Sequence, residues 1–132
     1  MRKKTIAAIL ILCGASAITK DWHGWERFEA TAYSHHCIMP KSGIESKKKF
    51  KGANGKWPIP NLTIAADPKY PFGTVLKISY RTITTKRIVG DRGRAIKGNK
   101  IDLFMENCRA AKQWGRRMVY GKIVKPKNEP AI

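Results

Sequence analysis

Three aspartates at the ends of strand-like segments, Asp67, Asp91 and Asp102, are the residues whose type and placement suit chemistry, in a chain with only 9 acidic against 27 basic side chains. Carboxyl groups gathered at a cleft edge can give and take protons as general acid and general base. Asp91 and Asp102 bound the run DRGRAIKGNKID, in which Gly93 and Gly98, with Gly90 just before it, make the backbone turn instead of continuing as a helix. In a strand reading of IDLF, Ile101 and Leu103 point one way while Asp102 and Phe104 point the other, which places Asp102 on a non-core face or a cleft wall. Each carboxylate also has a structural reading. Asp67 before Pro68 can close an Asx-turn, Asp91 can accept backbone N–H groups of the glycine turn, and Asp102 can pair with a neighbouring Arg or Lys at the surface.

The elements that must position these residues are short. FEATAYS (28–34) has β-type residues with Thr31 and Tyr33 on one face, LTIAAD (62–67) and VLKISY (75–80) read as strands, and TKRIVGD and KIDLFM supply two more around the glycine turn. NCRAAKQWG (107–115) reads as a short helix capped by Asn107 and closed by Gly115. RRMVYGKIVK is a last strand before a frayed tail at 125–132. Between them, residues 35–60 turn to Lys, Gly, Ser and Pro without a period, a long loop of the kind that carries function or moves. Six short strands, one short helix and many turns predict a mainly β chain folded as a small barrel.

The 132 residues fit one domain. Residues 1–17 stand apart: Arg2, Lys3 and Lys4 precede IAAILIL, and Ala15-Ser16-Ala17 supplies an A-x-A cleavage site, the layout of a signal peptide. Two further readings of this segment are a lipidated Cys13 and a retained anchor; all three predict export, to the periplasm or the cell wall, with membrane contact only through this segment. Without it, 24 basic against 9 acidic residues remain, a formal charge of +15, so the positive field belongs to the domain and favours polyanions. Cleavage leaves Cys37 and Cys108, either a disulfide pair or two separate thiols. His35 and His36 are adjacent, and no cysteine or histidine spacing suits a metal, so neither metal nor cofactor is expected. No nucleic-acid recognition motif accompanies the charge.

The runs FEATAYS, IAADPKYPFGTVLKI, VGDRGRAIKGNKIDLFM and AAKQWGRRMV closely resemble the 3D domain, a family named for three aspartates and found in lytic transglycosylases of the murein A type and related secreted or phage proteins. The resemblance covers roughly residues 28–124, leaving 18–27 as a lead, and its D-x-G-x-A-I-K-G-x-x-I-D signature is specific. It implies a six-stranded double-psi β-barrel with one short helix and a long loop, and it implies that Asp67, Asp91 and Asp102 are the three named aspartates. It also implies cleavage of the β-1,4 bond between N-acetylmuramic acid and N-acetylglucosamine, with Asp102 as acid/base, Asp91 as its close helper, and Thr31, Tyr33 and Lys97 along the substrate groove. The expected partner is a peptidoglycan glycan strand met by a monomer. Such an acid must be protonated near neutral pH, so Arg92, Arg94, Lys97 and Lys100 are expected to point away from Asp102 or to bind substrate. The family's larger enzymes carry an additional domain, of a size not found in these 132 residues, and here the loop from Cys37 to Pro60, with Lys47, Lys48, Lys49 and Lys51, is the candidate second wall of the groove. The rival reading is a barrel that binds wall glycan without cleaving it, through Tyr33, Trp57 and Tyr70.

Overall fold

The computed structural model describes residues 23–38 and 50–125. The expected signal segment with Cys13, the lysines at 47–49 and the tail from 126 lie outside them. Six strands form a closed barrel: β1 (Glu26–Tyr33), β2 (Thr63–Ala66), β3 (Val75–Tyr80), β4 (Ile83–Asp91), β5 (Lys100–Phe104) and β6 (Arg117–Lys125), in the order β1-β5-β2-β4-β3-β6. Closure leaves no free sheet edge. Two pairs are parallel, β1 with β5 and β2 with β4, and the rest are antiparallel.

The predicted mainly β barrel is present with all six of its strands. Strand ends differ from expectation by one or two residues: β1 begins at Glu26 because Glu26 and Arg27 pair with Gly121 and Tyr120, and β4 begins at Ile83 because it pairs with Tyr80. Period-two alternation drives the core. Ile64, Leu76, Val89, Ile101, Leu103 and Val119 point inward and are almost fully buried.

The expected helix is α2 (Cys108–Trp114), started by the Asn107 side chain accepting from the Ala110 N–H and ended at Gly115. One turn that the sequence reading placed in loop, α1 (His35–Ile38), follows β1 directly. Cys37 and Cys108 form a disulfide, with Cα atoms 4.9 Å apart, that ties α1 to α2. Phe104, expected on the same face as Asp102, does lie there but is buried, because Tyr33 and His35 pack over it at ring distances of 5.2 and 4.7 Å.

Candidate active site

Register, more than sequence proximity, builds the site. Thr31 of β1 stands opposite Asp102 of β5, Asp102 stands opposite Ala65 of β2, and Ala65 stands opposite Asp91 of β4. One row across four adjacent strands therefore carries Thr31, Asp102, Ala65 and Asp91 on the outer face. The two carboxylates are two strands apart, roughly 10 Å at the backbone, on either side of Ala65, and the Tyr33 side chain reaches across from β1 to Asp91.

Strict alternation from the buried Val89 would turn Asp91 into the barrel. A bulge prevents this: Ile64 pairs with Val89 and Ala65 with Asp91, so Gly90 is the extra residue and Asp91 is re-aimed outward. Space around the bulge is tight. A Cβ on Gly90 would lie 3.1 Å from both Asn54 and Thr63, and one on Gly52 would lie 2.5 Å from the Gly90 carbonyl oxygen. The Gly52–Asn54 turn seats its backbone on the bulge, the Asn54 N–H donating to the Gly90 carbonyl at 3.3 Å.

Asp91 is held by three donors. Its Oδ1 accepts from the Ala53 N–H at 2.9 Å and the Arg92 N–H at 2.8 Å, and its Oδ2 accepts from the Tyr33 hydroxyl at 2.7 Å. Burial and this carboxylate together push the Tyr33 hydroxyl well above its ordinary range, so it stays a donor. Asp102 is partly buried and accepts from the Thr31 hydroxyl at 2.9 Å. Its pKa is raised, first by burial; the Thr31 hydrogen bond opposes this, and the negative charge of Asp91 adds to it.

The surrounding cations leave this arrangement intact. Arg92 turns its guanidinium away, donating to the carbonyls of Tyr70 at 2.7 Å, Asp91 at 3.2 Å and Ala66 at 3.3 Å and stacking over Phe72 at 4.1 Å. Arg94, Lys97 and Lys100 are exposed. Arg116 pairs with Glu29, at 3.2 Å, and no Lys or Arg of the described residues forms a salt bridge with Asp91 or Asp102.

Asp67 stands apart from the row. Its Oδ1 accepts from the Lys69 N–H at 2.8 Å and its Oδ2 from the Gly98 N–H at 2.6 Å, where Gly98 has a φ of 62° that favours glycine. The Lys69 and Gly98 N–H groups hold its pKa below the ordinary carboxylate value, and Lys69 and Lys97 help. It thus clamps its own turn and the Arg94–Gly98 loop, and Lys97 acts on Asp67 in this structure. The sequence reading missed Ala65, Gly90 and the Gly52–Asn54 turn. GANG does signal a turn, but no local pattern says where that turn docks.

A cavity of about 420 Å³ lies beside Gly90 and not over Asp102. Gly90, Asn54, Thr63 and Phe72 line it, together with Trp57, which is 52% exposed. A smaller depression of about 140 Å³ adjoins Thr31, between Glu29, Ile96, Lys100 and Arg116. Among the described residues no cluster of His, Cys, Asp or Glu could hold a metal ion.

Residues 62–125 match the 3D domain family. Escherichia coli MltA with bound chitohexaose is similar at 20% identity and a TM-score of 0.50, over 58% of this chain and 28% of that one. The expansin of Clavibacter michiganensis is similar at 21% identity and a TM-score of 0.53, over 82% of this chain and 52% of that one. The lytic transglycosylase LtgG of Burkholderia pseudomallei shares 31% identity over 55% of this chain and 24% of that one, with a TM-score of 0.45. The chain thus spans little more than a quarter of the length of the MltA structures. No curated protein matches it.

Proposed function

We propose, from the match of residues 62–125 to the 3D domain family, that this chain is an exported enzyme that cuts the glycan strand of peptidoglycan as a lytic transglycosylase. The observation that carries this reading is a half-buried Asp102 with a raised pKa, bonded to Thr31 and facing Asp91 across Ala65, with no cation paired to it among the described residues. Burial and the neighbouring Asp91 charge both favour the protonated form of this carboxyl group, the form a general acid needs.

In the proposed reaction Asp102 gives its proton to the glycosidic oxygen between N-acetylmuramic acid and N-acetylglucosamine as the C1–O bond breaks. The resulting carboxylate then takes the proton of the muramic 6-hydroxyl while that oxygen bonds to C1, closing a 1,6-anhydro ring. The proton lost in the first half is regained in the second. Asp91 stays unreacted: its charge raises the pKa of Asp102 and lies where positive charge develops on the sugar. Thr31 orients the acid, Tyr33 fixes Asp91, and Asp67 with Lys97 shapes the loop between the two carboxylates. Signal-segment cleavage, action as a monomer and location in the periplasm or wall belong to the same reading.

Digestion of purified sacculi with the wild-type chain, with the soluble fragments identified by mass spectrometry, tests it. The expected products end in 1,6-anhydro-muramic acid; reducing ends would move the chain to the hydrolases. A second reading, binding without cleavage, is favoured by exposed Trp57 beside the cavity at Gly90, a surface on which a sugar face can stack. It predicts that Asp102→Asn retains the whole function while Trp57→Ala loses sacculus binding.

A further inference from the structure

On the side of the barrel away from Ala65, three lysines stand in register. Lys77 of β3 is opposite Lys122 of β6 on one side and Lys86 of β4 on the other, so one row across three strands holds three like charges within roughly 10 Å at the backbone. Like charges directly opposite each other weaken a sheet. No carboxylate of the described residues is ion-paired to any of the three; Glu26, which shares a surface depression with Lys122, stands opposite Gly121 and forms no ion pair with it. The row therefore lacks a counter-charge of its own.

The strand that carries Lys122 is also unusually apolar at its surface. Met118, Tyr120, Ile123 and Val124 are 50, 41, 44 and 43% exposed, all on β6, and Tyr120 and Lys122 share one face of that strand. Exposed apolar side chains next to unpaired cations suit an interface where acyl chains receive the former and anionic headgroups the latter. A soluble polyanion would use only the lysines.

Two features of the topology point the same way. In the ring order β1-β5-β2-β4-β3-β6, β6 is three strands from β2 in either direction, so it lies opposite the strand that sets Asp91 and Asp102 side by side. The described chain also begins here. Gly24 lies so close to Lys122 that a Cβ would meet its side chain at 3.3 Å, and the sequence preceding it contains the apolar run IAAILIL.

We propose that the β6–β3–β4 face is a docking surface for an anionic lipid bilayer. Lys122, Lys77 and Lys86 meet the headgroups, Met118 and Tyr120 enter the interfacial layer, and Asp102, on β5 across the ring from β3, is turned away from the membrane. The inference does not depend on what the aspartates do.

The test is co-sedimentation of the full chain with vesicles of phosphatidylcholine alone and of phosphatidylcholine mixed with phosphatidylglycerol. The wild-type chain should prefer the phosphatidylglycerol vesicles. Lys77→Gln, Lys86→Gln and Lys122→Gln combined should lower that partitioning by about tenfold to a hundredfold, with the difference shrinking in high salt. The charge-preserving combination Lys77→Arg, Lys86→Arg and Lys122→Arg should bind as the wild type does, and Met118→Ser with Tyr120→Ser should weaken binding at every salt concentration. Asp102→Asn should bind lipid normally, and a wild-type chain that docks without cleaving glycan would sink only the transglycosylase reading. Equal partitioning of the folded triple glutamine variant and the wild type would overturn the docking surface. So would a wild-type chain that retains soluble poly(glycerol phosphate) but ignores the vesicles.

Discussion

The barrel carries two rows of like charge, and they are handled differently. On the β1–β5–β2–β4 side, Asp102 and Asp91 stand on either side of Ala65, partly buried, and supplied with donors from Thr31, Tyr33, Ala53 and Arg92. On the β6–β3–β4 side, Lys122, Lys77 and Lys86 are direct cross-strand neighbours with no ion-pair partner among the described residues. In the first row, repulsion and burial are turned into a raised pKa at one position. In the second, repulsion is left for solvent, salt or a ligand to relieve. The first arrangement suits proton transfer and the second suits adhesion.

The two rows respond to different perturbations, and the largest effect is expected at the acid. Asp102→Asn should lower glycan cleavage by roughly a thousandfold while lipid partitioning stays unchanged, as read by muropeptide release and co-sedimentation on the same preparation. Removing the disulfide with Cys37→Ser and Cys108→Ser should cost about 2–4 kcal/mol of stability in denaturant unfolding. Because the bridge holds α1, whose His35 packs on Phe104, cleavage should fall more than lipid binding.

A pH experiment separates the rows further. Asp91 raises the pKa of Asp102, so Asp91→Asn should move the alkaline limb of the cleavage profile to lower pH. The stability sign is fixed by the same shift. A carboxyl group with a folded pKa above its unfolded value contributes stability below the unfolded pKa, and loses that contribution as pH rises through the folded value. Near neutral pH, Asp102→Asn should therefore unfold at a higher temperature than wild type. The smallest effect is at the lysines: Lys77→Gln, which removes the central charge, should raise stability by a few tenths of a kcal/mol, more than Lys86→Gln does, and the gain should fade in high salt.

Much of this molecule was legible because its strands alternate cleanly. IDLF, VLKISY and RIVGD each announced a buried face, and Asn107 and Gly115 marked the ends of α2. Asp91 and Asp102 were legible through the D-x-G-x-A-I-K-G-x-x-I-D run, and Asp67 through IAADPKYPFGTVLKI. What stayed hidden depended on pairing between distant strands. Nothing local says that Ala65 will lie between Asp91 and Asp102, or that Gly90 is the bulge that turns Asp91 outward. The separate position of Asp67 was foreshadowed by Pro68, whose Asx-turn reading matches the Lys69 N–H bond, but its second bond to Gly98 is a tertiary event. The lysine row was equally invisible, because Lys77, Lys86 and Lys122 acquire a relationship only through the barrel's register.

The most direct measurement is the titration of the Asp102 carboxyl carbon by NMR, in the wild-type chain and in Asp91→Asn. The account predicts a midpoint above the ordinary aspartate value in the wild type and a lower one in the variant, because one of the charges that disfavours ionisation is gone. A wild-type midpoint at or below the ordinary value, or one that Asp91→Asn leaves unmoved, would contradict the claim that this row of side chains makes Asp102 an acid.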